Sequence, residues 1–343
     1  MRTAVSIVAC VAVAGCLVAT ACAQAVPPSP SKLNADRLRW IYYKMVAGRV
    51  AVSSTYPGTN MTFGPAMVNG RRREQLEVHI TPGNIQLEFE MAGSDEQLSI
   101  SLDSASHFTI RRSRGEPSHQ LVFEQPIDEA IALEIADGGS VRRLKGRSLW
   151  HLYLADPQLI AREVIPLLEL LHPSWQLAAT GATTERALLE LAAKPTPPKC
   201  HEWLRLVQDL SHERFVERAS AERALRTSGQ GVVPFLQSLG RDTLDAEQAA
   251  RVRVLIDSLS AGYEDSAERI VPWLAGDPQA WLALLARDEV QTRRLAVRQL
   301  ALIWGESVAF DADAEQAIRD EQLARLWERA GTSVGKPDTG KAK

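Results

Sequence analysis

Near residue 148 the hydrophobic rhythm of this chain changes from a period of two to one near 3.6, and that change points to an α+β protein of two domains. Period two comes first. Leu76, Val78 and Ile80 alternate with Glu77, His79 and Thr81, and Ile85, Leu87, Phe89 and Met91 alternate with Gln86, Glu88 and Glu90. Leu98/Ile100/Leu102, Phe108/Ile110, Leu121/Phe123 and Ile131/Leu133/Ile135 continue the pattern. Asn69-Gly70, Pro82-Gly83, Gly93-Ser94 and Asp137-Gly138-Gly139 supply turn chemistry between the runs. One buried and one wet face define an antiparallel meander, so a half-barrel or sandwich packed by helices is expected over 53–194.

Helical patterns flank that region. Leu33–Val46 reads as an N-terminal helix starting at Asn34, within a leader of 26–52. Pro157–His172 carries a stripe of Ile160, Val164, Leu167, Leu168 and Leu171, suited to cover the sheet, with Pro166 expected to kink or divide it. Ser148–Ala155 precedes it and Thr183–Ala193 follows. Residues 195–198 (Pro-Thr-Pro-Pro) cannot continue a helix and mark a linker between two separately folded pieces. From 199 to 331 the stripes are all helical: His201–Leu210, Glu213–Ser228, Val232–Leu239, Ala246–Leu259, Ser266–Leu274, Gln279–Arg287, Val290–Trp304 and Asp313–Arg329. The tail 332–343 is polar and reads as disordered.

Within the helical part a motif recurs. Arg218-x-x-Ala221-x-x-x-Leu225 returns as Arg293-x-x-Ala296-x-x-x-Leu300, each helix stopping near a glycine, Gly229 or Gly305. Arg251-x-x-Val254, with Leu255, reads as a looser copy. The arginines are 33 and 42 residues apart, close to the roughly 40–47 of two-helix solenoid repeats. In this the stretch resembles the HEAT repeat family. The resemblance implies an all-α solenoid, and arginines that bridge to an acidic residue of a neighbouring repeat, with Asp209 and Asp288 as candidates. Ser148-Leu149-Trp150-His151-Leu152, Leu171–Trp175 and the closing segment from Gly305 through Arg319 to Trp327 are similar to those of a group of uncharacterised exported bacterial proteins with a β-rich front and a HEAT-like back. That likeness implies no activity.

The first 25 residues read as a signal peptide. Arg2 precedes the uncharged run Ala4–Ala21, and Ala23-Gln24-Ala25 is a small-x-small cleavage site before Val26. Val13-Ala14-Gly15-Cys16 also fits a lipobox, which would place a lipid anchor on Cys16. The nine uncharged, mostly apolar residues after Cys16 favour cleavage at Ala25. The expected address is export, to the periplasm or outside a bacterium. Of four cysteines only Cys200 lies beyond this segment, so packing rather than a disulfide must stabilise the fold. Net charge is −3, or −4 without Arg2, which argues against a nucleic-acid partner.

The chain has no Gly-rich phosphate loop, G-x-S-x-G elbow or H-E-x-x-H helix. Cys200-His201-Glu202, with His212, is the one metal- or thiol-like cluster, but adjacent residues on one helix diverge by about 100°. It reads as structural. Arg71-Arg72-Arg73, Arg111-Arg112-Arg114 and Arg142-Arg143-Lys145-Arg147 lie near strand ends; with 10 Lys/Arg against 14 Asp/Glu over 57–156 they form a solvated rim. No catalytic, cofactor-binding or metal residue is assigned, and no stable membrane span is expected after the signal segment. The reading is an exported, non-enzymatic protein–protein interaction scaffold. A periplasmic lipid or small-ligand carrier, using the sheet's apolar face, is the alternative, and an uncovered groove there would favour it.

Overall fold

The structure is a computed structural model that describes residues 41–54, 59–68, 72–81, 84–103, 107–115, 119–127, 129–194, 199–239, 244–259 and 264–330. The expected signal segment with Cys16, the expected leader as far as Trp40, the expected Asn69-Gly70 and Pro82-Gly83 turns, the expected linker 195–198 and the tail 332–343 lie outside the described residues.

Among the described residues there are two β units. Strands β1 (Ile41–Val46) and β2 (Arg49–Ser54) pair as a hairpin. Strands β3 (Thr59–Val68), β4 (Arg72–Thr81), β5 (Asn84–Ala92), β6 (Glu96–Asp103), β7 (His107–Arg114), β8 (His119–Gln125), β9 (Ile131–Asp137) and β10 (Ser140–Gly146) form one eight-stranded antiparallel meander, each paired with the next. The alternating residues picked out above line one face of it. From Leu76 on β4 to Ile135 on β9 they are buried, none more than 7% exposed.

The helix expected over Leu33–Val46 is not what 41–46 form. Ile41, Tyr43 and Met45 point inward in strict alternation while Tyr42 is exposed. The aromatic and β-branched run Ile-Tyr-Tyr suits a strand once it has a partner. Ala47 and Gly48, at φ +52° and +67°, turn the chain back on itself, with the positive φ at both central residues that a type I′ two-residue hairpin requires. Alanine does not advertise such a turn.

After the meander come α1 (Leu149–Ala155), α2 (Pro157–Leu159), a π turn (Ile160–Val164) and α3 (Ile165–Leu168). Asp156 caps α2, its carboxylate accepting from Leu159 N at 2.9 Å. The expected break at Pro166 takes the form of that π turn. Proline has no N–H and crowds the turn before it, and Ile165 N–H reaches back five residues to Ile160 O. Then follow α4 (Leu177–Ala193), α5 (Lys199–Asp209), α6 (Phe215–Thr227), a 3-10 turn (Gly229–Val232), α7 (Val233–Ser238), α8 (Ala246–Leu259), α9 (Ala267–Leu274), α10 (Pro278–Leu285), α11 (Val290–Trp304) and α12 (Gln316–Arg329). Gly305, at φ +71°, ends α11 in the left-handed region.

One apolar core runs through both parts, from Ile41 to Leu326. Helix α1 packs on α10, and α4 packs on α9 and α11. Gly181 permits the approach of α4 to α1, because a Cβ there would lie 2.7 Å from the Tyr153 ring. Helices on either side of residues 195–198 therefore rest on each other.

Candidate functional site

Polar groups gather where the hairpin tip, the start of α1 and the 264–278 stretch meet. Ser148 stands at the N-cap position of α1, but its hydroxyl does not cap the helix. It lies 2.8 Å from His151 Nδ1 instead, and His151 Nε2 donates to Asp277 Oδ2 at 3.2 Å. Asp277 in turn caps α10, its Oδ1 accepting from Gln279 N at 2.9 Å. Burial pushes the Asp277 carboxyl up, but the His151 bond and charge, the Arg147 charge and the Gln279 N–H outweigh it, and its pKa falls below the usual range.

Serine, histidine and aspartate in a chain suggest a hydrolytic triad, and the geometry argues otherwise. A triad histidine turns Nε2 to the serine and Nδ1 to the acid; here the two are exchanged. Ser148 is 1% exposed. Gly48 sits directly on it, so closely that a Cβ there would come within 2.6 Å of Ser148 Cβ. A nucleophile that meets no substrate does no chemistry. The chain of bonds ties α1 to α10.

Beside it, Asp265 holds the hairpin tip. Its carboxylate accepts from Ala47 N (2.8 Å), Gly48 N (2.6 Å) and Trp150 Nε1 (2.7 Å), and its own N–H donates to Met45 O at 2.8 Å. Nothing local in the sequence signals this contact.

A second buried cluster closes the sheet against the π turn. Glu163 takes Arg112 from β7 and Arg162 Nε (2.9 Å), with His119 Nε2 3.8 Å away. Burial raises the Glu163 pKa, but its bond to Arg162 and the charges of Arg112, His119 and Arg162 win, and the carboxyl titrates below its usual range. The apolar residues of β4–β9 are buried beneath neighbouring parts of the chain. The basic clusters are largely paired. Arg111 meets Glu124 (3.0 Å), Arg143 meets Glu134 (2.8 Å) and Arg142 meets Asp156 (2.6 Å), while Arg147 lies 3.5 Å from Asp277. Arg71 and the Arg72 side chain lie outside the described residues.

His201 and Glu202 are exposed, His212 Nδ1 accepts from Arg214 N at 3.1 Å, and the Cys200 side chain is outside the described residues. Among the described residues no group of three His, Cys, Asp or Glu could hold a metal, and no helix is long and apolar enough to cross a membrane.

The two motif arginines do share a geometry. Arg218 NH1 donates to His212 O (2.8 Å) and Glu213 O (2.9 Å); Arg293 NH1 donates to Arg287 O (2.7 Å) and its Nε to Ala312 O (2.8 Å). Arg319 reaches Ala314 O (2.7 Å) and Arg269 reaches Glu264 O in the same way. Each arginine, in the first turns of its helix, folds back on carbonyls five or six residues earlier. Of the acidic residues, Glu247 lies 3.6 Å from Arg218, and the charge of Asp288 acts on Arg293. Ala221, Leu225, Ala296 and Leu300 are all buried. The Arg251 copy fails in register. Leu255 is buried as the copy requires, but Val254 is 55% exposed and Val252 faces the core in its place.

The helical surface also carries exposed apolar side chains, chiefly Phe215 (69%) and Val216 (66%) at the start of α6. A shallow hollow of about 450 Å³ lies between Arg298, Leu302 and Glu306. No protein-family model, curated protein or solved structure matches the chain.

Proposed function

We propose that the chain is an exported, non-enzymatic scaffold whose helical part, 199–331, is HEAT-like and presents α6 to a protein partner. The observation that carries this reading is the consecutive pair Phe215–Val216, two large apolar side chains turned to solvent at a helix start. Exposed apolar groups held on a rigid element are the usual anchors of protein interfaces. The repeat reading draws support from the ladder between α6 and α8. Arg218 faces Glu247, Arg251 NH1 donates to Glu222 at 2.9 Å, and Arg226 NH1 donates to Ser258 at 2.9 Å. Partners rising together along both helices mean that the two run parallel, as equivalent helices of successive repeats do. Export is the expectation from the targeting segment.

A photo-crosslinking residue at 215 or 216, in protein expressed in its own envelope, is expected to trap one discrete adduct, and the same residue at exposed Glu88 on the wet sheet face is expected to trap none. Phe215→Asp combined with Val216→Asp should abolish the adduct when the crosslinker is moved to 219. Equal trapping at 215 and 88 would remove the support for this surface.

A further inference from the structure

Among the described residues the β1–β2 hairpin shares no backbone ladder with the eight-stranded sheet. Side chains do most of the fastening. The Gln125 amide stands in for a strand, its Oε1 accepting from Val50 N (2.8 Å) and its Nε2 donating to Val50 O (2.9 Å). Arg49 donates to the carbonyls of Glu129 and Arg147, both at 3.1 Å, and to that of Pro126. At the tip, Leu149 N donates to Gly48 O at 2.9 Å, and Asp265 takes both turn amides. The underside of the hairpin, Ile41, Tyr43, Met45 and Val50, is buried.

We propose that this hairpin is a releasable strap, and that Asp265, carried on the helical part, is its catch. Ala47 at φ +52° is the only described non-glycine residue in the left-handed region, which an L-residue with a Cβ disfavours. A carboxylate accepting from two consecutive amides favours that turn and offsets the strain. Exchanging the carboxylate for an amide leaves one accepting oxygen for three N–H groups and sets an NH2 against the rest, so the turn no longer favours its own conformation. The strap then opens as a unit, because the tip sets the register of the whole hairpin. Opening uncovers Ser148 and Trp150, which lie against Gly48. Since strap and catch sit on opposite parts of the molecule, displacing the 264–266 segment frees residues 41–54.

Hydrogen exchange of the full chain tests this. In Asp265→Asn, exchange of amides within 41–54 is expected to rise on the order of tenfold, as for a local opening, with β7–β8 and α11 unchanged. Ala47→Gly, which fits the turn better, should leave exchange unchanged or slow it, and should restore part of the protection lost in Asp265→Asn. A rise spread evenly over the chain, no rise at 41–54, or no rescue by Ala47→Gly would overturn the proposal. If Asp265→Asn does not accumulate, Asp265→Glu serves: faster exchange confined to 41–54 supports the strap, and unchanged exchange there defeats it.

Discussion

Arg293 is a buried cation whose partners are backbone carbonyls rather than carboxylates. Burial first, and then the charge of nearby Arg319, hold its pKa below the usual arginine value, with Asp288 and Asp313 opposing. Its worth lies in joining the loop before α11 to the 311–313 segment. Arg293→Met, similar in length but unable to donate, should therefore cost roughly 2–4 kcal/mol by stranding two carbonyls. Exposed Arg298→Ala on the same helix should stay within about 0.5 kcal/mol. Urea midpoints at constant slope decide between them, and a neutral Arg293→Met would mean the fold-back is incidental. Asp277 makes a prediction in pH. Its carboxyl titrates below the ordinary value in the folded protein, so its stabilisation is present above the unfolded pKa and lost as pH falls through the folded one. Asp277→Asn should cost about 1–3 kcal/mol at pH 7, and the gap from wild type should narrow below about pH 4. A gap that stays constant down to pH 3 would show that the charge contributes nothing.

Among the elements, α4 shows how a poor helix residue becomes necessary. Gly181 lies inside it, where alanine would ordinarily gain about 0.5–1 kcal/mol. The Tyr153 ring occupies the space a Cβ would need, so Gly181→Ala should instead lose roughly 1–3 kcal/mol. Thermal melts in a Tyr153→Leu background should show the penalty shrink; an undiminished penalty would place its cause elsewhere. The meander was legible residue by residue because each strand pairs with the next and buries every second side chain. Helix α11 was legible to its ends, since Gly305 stops it and Leu300 lies on its buried stripe. The hairpin was not. The acceptor that makes Ala47-Gly48 a turn is 217 residues beyond Gly48, and local pattern favoured a helix. The polar junction was half legible. Ser148 and His151 are three residues apart in a noticeable motif, whereas Asp277 is 126 residues on, beyond any spacing rule. The arginine repeat was legible as recurrence, but its purpose was not, because carbonyl partners leave no mark on composition.

For the whole molecule, the Pro-rich stretch 195–198 suggests two pieces, and helices on either side of it touch. Helix α4, before it, packs on α9 and α11, after it, and α1 packs on α10. Arg287 donates to Glu185 at 2.6 Å, His151 meets Asp277, and Asp265 holds the hairpin tip. A solenoid's repeats touch only their neighbours; α4 reaches past four intervening helices to α9, which anchors the later helices to the front of the chain. Cutting near Lys194 should therefore give two bands on a denaturing gel but one peak in native size exclusion, since the cut removes a tether and little packing. The nicked pair should part only near the urea concentration that unfolds the intact chain, because one apolar core spans the join. Two native peaks, each with its own cooperative transition, would mean instead that the sheet and the helices are separate domains. In that case α6 would be presented by an independent module, and the strap joining Ala47 to Asp265 would be the main bond between two bodies rather than one clasp among several.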